Sequence, residues 1–273
     1  MNSLVSIIIP VRDRAEKIRR CLGCLKKQTY KDIEIVIVDG NSTDNTVAVA
    51  REYTDKVFVF PEKGDHRSAQ KNMAAEKAGG KYILSIDSDM ELSEQVVENC
   101  VKKMESDPRI SGIIIPEESF GEGFWAQCKK LEKSFYIGVD SMEAARFMRR
   151  EDYLAVGGYN TELTSGEDWD LSQKIGDLGR LERIADLIYH NEGRISLFKT
   201  VKKKYYYAGE FAKYMRTSPH KEKVNNQTGI IFRYKLFLSN PKKLFRRPLV
   251  GLGMLFMKTC EFGFGGIGWL IKR

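Results

Sequence analysis

The apolar positions of the chain fall into two rhythms. Val5–Val11 (V-S-I-I-I-P-V) and Ile33–Val38 are short continuous apolar runs, as is the start of Lys81–Met90 (K-Y-I-L-S-I-D-S-D-M). Runs of this kind mark strands buried on both faces. Between them, Ala15–Lys27 puts Ile18, Cys21, Leu22 and Leu25 on one helical face. A second helix is predicted from a cap at Thr43 or Asp44 to about Arg51. Lys56–Phe60 reads as a third strand, and Ser68–Ala78 as a helix closed by Gly79-Gly80. This alternation predicts a doubly wound, Rossmann-like α/β fold. Further on, Ser93 caps a helix through Met104, Gly112–Pro116 is one more strand, and Gly123–Ile137 is an amphipathic helix carrying Trp125.

Composition narrows the picture. With 42% hydrophobic and 30% charged residues the chain is globular, and 273 residues suffice for one large α/β domain with an appendage. Five scattered cysteines lack His partners at metal-ligand spacing, and Cys21-x-x-Cys24 lies inside a helical pattern with no second pair. Reduced thiols and a cytoplasmic setting are the expectation. Met1–Pro10 runs straight into a strand, without a basic leader or small-residue cleavage site, so no cleavable signal peptide is expected.

The net charge of +8 is unevenly spread. Residues 194–273 carry 18 Lys/Arg against 3 Asp/Glu, whereas residues 1–193 carry 27 against 34. An acidic body with a basic tail argues against nucleic acid as a partner and points the tail toward anionic lipid. Within the tail, V-K-K-K-Y-Y-Y and P-K-K-L-F-R-R interleave cations with aromatic residues, and Leu249–Ile271 is almost wholly apolar. That last segment nearly has the length of a membrane span. Lys258, Glu261 and six glycines argue against a single well-formed one. Amphipathic or re-entrant attachment of residues 241–273 to an anionic membrane surface is expected, with a helix packed on the body as the alternative. The division implied is 1–193 for catalysis and 194–273 for a helical membrane-associated extension.

Candidate chemistry gathers at strand ends. In an open α/β sheet ligands bind at the carboxyl ends of strands, where Asp87 and Asp89 stand with Ser88 between them. Two such carboxylates invite a cation or a hydroxyl-rich ligand, although a solvated acidic turn has the same sequence. Asp39 ends the second strand, where a carboxylate can accept from a base N–H or cap a helix. Arg67 and Lys71 open a helix, with a diphosphate or plain solvent as their partner. Gly166-Glu167-Asp168-Trp169-Asp170 opens another helix with neighbouring carboxylates that should raise at least one pKa. The helix dipole alone would also favour such an acidic first turn. His190 ends a strand-like L-I-Y-H run, and Gly157-Gly158 reads as a backbone requirement in a loop.

Taken in order, V-S-I-I-I-P-V-R-D-R, E-I-V-I-V-D-G-N-S-T-D, R-S-A-Q-K-N, S-I-D-S-D-M, F-M-R-R-E-D-Y-L-A-V-G-G-Y-N, G-E-D-W-D-L and Y-H-N-E-G resemble the successive blocks of the family-two inverting glycosyltransferases, over about residues 4–200. The resemblance implies a GT-A fold and transfer of one sugar, of the hexosyltransferase type. The donor would be a UDP- or GDP-linked sugar and the acceptor lipid-linked or a glycan, at the cytoplasmic membrane face. It places Pro10, Val11, Asp39, Arg67, Lys71, Asp87 and Ser88 at the nucleotide sugar. Asp89 and His190 become ligands of a divalent cation, Mn2+ or Mg2+, and Asp168 the base. Glu167, Trp169, Gly157 and Gly158 fall on the acceptor side. Gly40 stands where the family often has a second acidic residue, and the Q-x-x-R-W signature of processive synthases is absent. Two other readings compete: an inactive, membrane-tethered nucleotide-sugar-binding protein, and a nucleotidyltransferase.

Overall fold

The computed structural model describes residues 3–62 and 66–271. In chain order its elements are β1 (Val5–Val11), α1 (Ala15–Leu25), β2 (Ile33–Asp39), α2 (Thr46–Arg51), β3 (Val57–Val59), α3 (Arg67–Lys77), β4 (Tyr82–Ser85) and β5 (Met90–Leu92). Next come α4 (Val96–Ser106), β6 (Ile110–Ile114), β7 (Glu117–Glu122), α5 (Phe124–Ser134), β8 (Ala145–Arg149), α6 (Arg150–Ala155), α7 (Glu167–Leu178) and β9 (Arg180–Arg183). The chain continues through β10 (Ile188–Arg194), α8 (Leu197–Thr217), α9 (Lys221–Thr228), α10 (Ile230–Leu238), α11 (Pro241–Leu244) and α12 (Pro248–Ile271).

Two compact units share these elements. The first comprises residues 1–116, 144–162 and 167–189; the second comprises 117–143, 163–166 and 190–273. They interleave along the chain, where the sequence reading draws a single line after residue 193.

The first unit is built on a seven-stranded sheet in the order β3-β2-β1-β4-β8-β6-β9. β1 runs parallel to β2 and to β4, β2 to β3, and β6 to β9, whereas β8 is antiparallel to both its neighbours. The sheet is therefore mixed. Alternate residues of β1 enter two separate cores. Val5, Ile7, Ile9 and Val11 pack with α1 and α4 through Ile18, Leu22, Val97 and Cys100, while Ile8 packs with Ala74, Ala75, Tyr153, Leu171 and Ile175. Burial on both faces explains the unbroken apolar run in the sequence. Pro10, which has no ladder donor, sits beyond the last β1–β4 pair, Ile8 with Ser85, so its missing N–H costs that ladder nothing.

The strand order turns at β1, with β2 on one side and β4 on the other. The carboxyl ends of those three strands deliver Val11, Asp39 and the Asp87–Asp89 segment to one end of the sheet, where open α/β sheets hold their ligands.

The second unit holds β7, the rest of β10 and α5 with α8–α12. Within it α12 packs on α5 and α8. Gly253 makes the first of those contacts possible, since a Cβ there would lie 2.4 Å from Phe124 Cζ.

Candidate active site

Lys71 is the hinge of the site. It sits on the first turns of α3, is 2% exposed, and places Nζ 3.1 Å from Asp87 Oδ1 and 3.5 Å from Asp168 Oδ1. Asp87 comes from the loop after β4 and Asp168 from the first turn of α7. One buried ammonium therefore joins two carboxylates that lie 81 positions apart. Arg146, 5% exposed on β8, closes the far side: Nη2 is 3.4 Å from Asp168 Oδ2, and Nη1 donates to the Ser85 carbonyl at 3.5 Å.

These charges set the ionisation of the site. Burial pushes Asp87 up, but Lys71, Arg146 and Arg67 outweigh it and hold the carboxyl at about 2. Asp168 follows the same balance: burial raises it, Lys71 and Arg146 oppose that, and the result is below the ordinary carboxylate range. Burial works against the Lys71 cation, yet Asp168 and Asp87 keep it firmly charged. Glu167 is the acid of this turn that moves upward, first through burial and then through the Asp168 charge beside it. The sequence expects a raised carboxyl here as a property suited to a base; the structure puts the raised pKa on Glu167 and depresses that of Asp168.

The loop carrying Gly157 and Gly158 reaches the same cluster through Asn72. Its Oδ1 accepts from the Tyr159 backbone N–H at 2.9 Å and from Tyr153 OH at 2.6 Å, and its Nδ2 donates to the Tyr159 carbonyl at 2.9 Å. Gly158 has φ +62, and a Cβ on it would stand 2.5 Å from Asn72 Oδ1. The clamp thus needs glycine on two counts. Tyr159 in turn places its ring 4.7 Å from Lys71 Nζ and its hydroxyl 2.9 Å from Ser85 Oγ.

The remaining predicted residues are placed as follows. Pro10 and Val11 are buried in β1, paired with Val38 and Asp39, and the Val11 carbonyl accepts from Gly40 N–H at 2.8 Å. Asp39 is 1% exposed and turns its carboxylate onto Ser42, accepting from the backbone N–H at 2.8 Å and from Oγ at 2.5 Å. Ser88 is buried, Arg67 is exposed at the start of α3, and Trp169 is half-buried.

Asp89 Oδ2 lies 3.0 Å from Lys17 Nζ, so a cation already sits against this carboxylate. A single hard oxygen donor of this kind fits Mg2+ or Mn2+, which take the rest of their shell from phosphate and water. Among the described residues no group of three or more His, Cys, Asp or Glu is gathered to hold a metal. His190 belongs to the second unit, with Nδ1 4.0 Å from Glu117 Oε2. β10 continues past it to Arg194, so it stands inside a strand that the sequence reading ends there.

Lys17 and Arg146 escape sequence reading. Arg146 leaves one trace, an arginine in the middle of the apolar stretch A-A-R-F-M; a buried arginine requires a buried anion. Lys17 leaves none.

Residues 6–158, more than half of the chain, match the profile of Glycosyl transferase family 2. The chain belongs to that family. This glycosyltransferase is 26% identical over 198 residues to the chondroitin synthase of Pasteurella multocida, covering 68% of this chain and 20% of that protein. It is 30% identical over 132 residues to the glycosyltransferase GlyG of Streptococcus pneumoniae, 46% of this chain and 44% of the other. It therefore spans only a fifth to under a half of the length of these relatives. Among solved structures, the mannosyltransferase PcManGT of Pyrobaculum calidifontis, in complex with GDP-Man and Mn2+, aligns with a TM-score of 0.67 at 16% identity, over 99% of this chain and 88% of that one. Residues 1–349 of S. aureus TarS in complex with UDP-GlcNAc align with a TM-score of 0.56, also at 16% identity, over 97% and 90%. The α/β mixed sheet with its C-terminal helices is the fold of GT-A glycosyltransferases, in keeping with the family assignment. The nucleotidyltransferase reading falls with that assignment.

Proposed function

We propose that this glycosyltransferase transfers one sugar, with inversion, from a UDP- or GDP-linked donor to a lipid-linked or glycan acceptor at the cytoplasmic membrane face. The observation that carries the reading is the Lys71 bridge between Asp87 and Asp168. It ties the strand end expected to face the donor to the helix turn expected to face the acceptor.

Asp168 serves as the base. Its depressed pKa keeps it ionised at neutral pH, which is the state needed to take a proton from the acceptor hydroxyl as that oxygen attacks the anomeric carbon. The bond from that carbon to the diphosphate oxygen breaks, and the nucleoside diphosphate leaves with the electron pair. Arg67 stands ready for the diphosphate, while Asp87, Ser88 and Asp39 with the β1 end (Pro10, Val11) line the nucleoside. Asp89 would hold Mn2+ or Mg2+, which would supply Lewis-acid neutralisation of the leaving group. Glu167 and Trp169 face the acceptor.

The raised pKa of Glu167 favours a second reading, in which Glu167 is the base and Asp168 the anchor for Lys71 and Arg146. A donor screen tests the first part of the proposal. Titrating UDP- and GDP-linked sugars in the presence of Mn2+ or Mg2+ should give saturable binding to one nucleotide, at least about tenfold weaker in Asp89→Ala or in EDTA. Equal binding with and without metal contradicts the role of Asp89.

A further inference from the structure

The last helix is amphipathic in reverse. Its inward stripe includes Val250, Met254, Met257, Lys258, Glu261 and Gly268, and so contains both charges of α12. Lys258 Nζ is 2.5 Å from Glu132 Oε1 and 2.6 Å from Glu261 Oε2, while Lys129 Nζ is 2.9 Å from Glu132 Oε2. Tyr136 donates to Glu132 Oε1 at 2.7 Å, and Arg233 to Tyr136 OH at 2.9 Å. Glu132, Lys258 and Glu261 are each no more than 3% exposed. The two residues that interrupt the apolar run in the sequence are thus neutralised inside the second unit.

What α12 turns outward is Leu249, Leu252, Phe256, Phe264, Ile267 and Leu270, exposed by 77, 56, 57, 49, 49 and 67%. Their spacing follows the 3.6-residue repeat, so they form one line about 30 Å long at 1.5 Å per residue. Thr259, Gly263 and Gly266, exposed beside them, add no charge. The line widens at α10, where Tyr234 OH meets Thr259 Oγ1 at 2.5 Å and Ile231 and Leu238, 73 and 56% exposed, lie one turn to either side of that tyrosine. Immediately before the helix, Lys242, Arg246 and Arg247 are exposed.

We propose that this outward face of α12 docks on an anionic lipid bilayer, the helix lying in the headgroup plane with Lys242, Arg246 and Arg247 against the lipid phosphates. A charge-free apolar line of this length, rimmed by polar residues, is the kind of exposed surface that marks an interaction site. The cations at its end complement anionic headgroups, whereas a second copy would bring another basic tail against them. Trp125, whose ring lies 6.4 Å from that of Phe256, borders the line, as aromatic residues do at membrane interfaces. Among the described residues no helix is long and apolar enough to cross a membrane. Lys272 and Arg273, the end of the basic stretch expected to bind lipid, lie outside the described residues. The inference names the partner surface for the lipid-linked acceptor of the proposed function, and it rests on that reading for its purpose.

Co-sedimentation of the full chain with vesicles tests it. Binding to phosphatidylcholine vesicles containing phosphatidylglycerol should exceed binding to phosphatidylcholine alone. Arg246→Gln with Arg247→Gln should weaken it roughly fivefold per charge, and Leu252→Glu/Phe256→Glu/Ile267→Glu by more than about 100-fold. Quenching of tryptophan fluorescence by brominated lipid provides a second readout on the unaltered chain, and an unchanged circular dichroism spectrum guards against misfolded variants. The proposal is overturned if the triple variant binds vesicles as well as the wild type. It is equally overturned if neither binds and the substitutions turn a dimer into a monomer, since the face would then belong to a second copy. UDP and GDP binding read on the same preparations separates the claims. Nucleotide binding without vesicle binding removes the docking face and leaves the donor reading, and the opposite result does the reverse.

Discussion

At the residue scale the candidate active site is first of all an ionic lattice. Asp87 and Asp168 would repel each other in a buried setting, and Lys71 and Arg146 are what allow both to remain charged. Replacing Lys71 by Met should therefore move the acid limb of the kcat/KM profile upward by at least about one pH unit, because burial then acts on Asp168 with less opposition. It should also cost about 3–5 kcal/mol of stability, as removing one partner of a buried ion pair does. A pH–rate profile with an unmoved acid limb would count against the lattice. The depressed Asp87 has its own consequence. With a folded pKa of about 2 and an unfolded value near 3.9, its contribution is complete above the unfolded value and is lost as pH falls toward and below 2. Urea unfolding at pH 6 and pH 2.5 should differ by about 1–2 kcal/mol through this group alone. The aspartates were legible in the sequence because each follows an apolar run or opens a helix. Arg146 and Lys17 were not, since a cation on a strand or helix carries no mark of the anion it will meet across the fold.

At the element scale, legibility tracked hydrophobic content. β1, β2 and β4 are buried in or near the middle of the sheet and read as continuous apolar runs. β5 (M-E-L), β7 (E-E-S-F-G-E) and β9 (R-L-E-R) are short or polar, and no periodicity in them separates strand from loop. β8 was hidden by its own buried arginine. The Gly157-Gly158 loop was recognised as a backbone requirement, and the structure supplies its reason in the Asn72 clamp. Gly158→Ala should cost about 1–3 kcal/mol in thermal or urea unfolding, combining a positive φ with a collision at Asn72. In an Asn72→Ala background the same Gly158→Ala change should cost less than in the wild type, because the collision is gone; an equal cost in both would place the strain elsewhere. The charges in α12 show the opposite case. In sequence they look like defects in an apolar segment, and only the packing of α12 against α5 reveals them as an internal network.

At the scale of the whole molecule, the mixed sheet and the Asp87–Lys71–Asp168 cluster lie in one unit while most of the excess positive charge lies in the other. The family profile matches residues 6–158, which lie in the first unit except for 117–143. The curated relatives described here extend well beyond the length this chain covers, so the acceptor is a question for this chain's own chemistry. All of it depends on Asp168 taking the acceptor proton. The decisive measurement is single-turnover sugar transfer at saturating donor by Asp168→Asn and by Glu167→Gln, with donor affinity determined in parallel. Asp168→Asn should bind donor within a few-fold of the wild type and transfer at least about 100-fold more slowly, while Glu167→Gln retains most of the rate. Normal transfer by Asp168→Asn, with the loss appearing in Glu167→Gln, would contradict that role for Asp168.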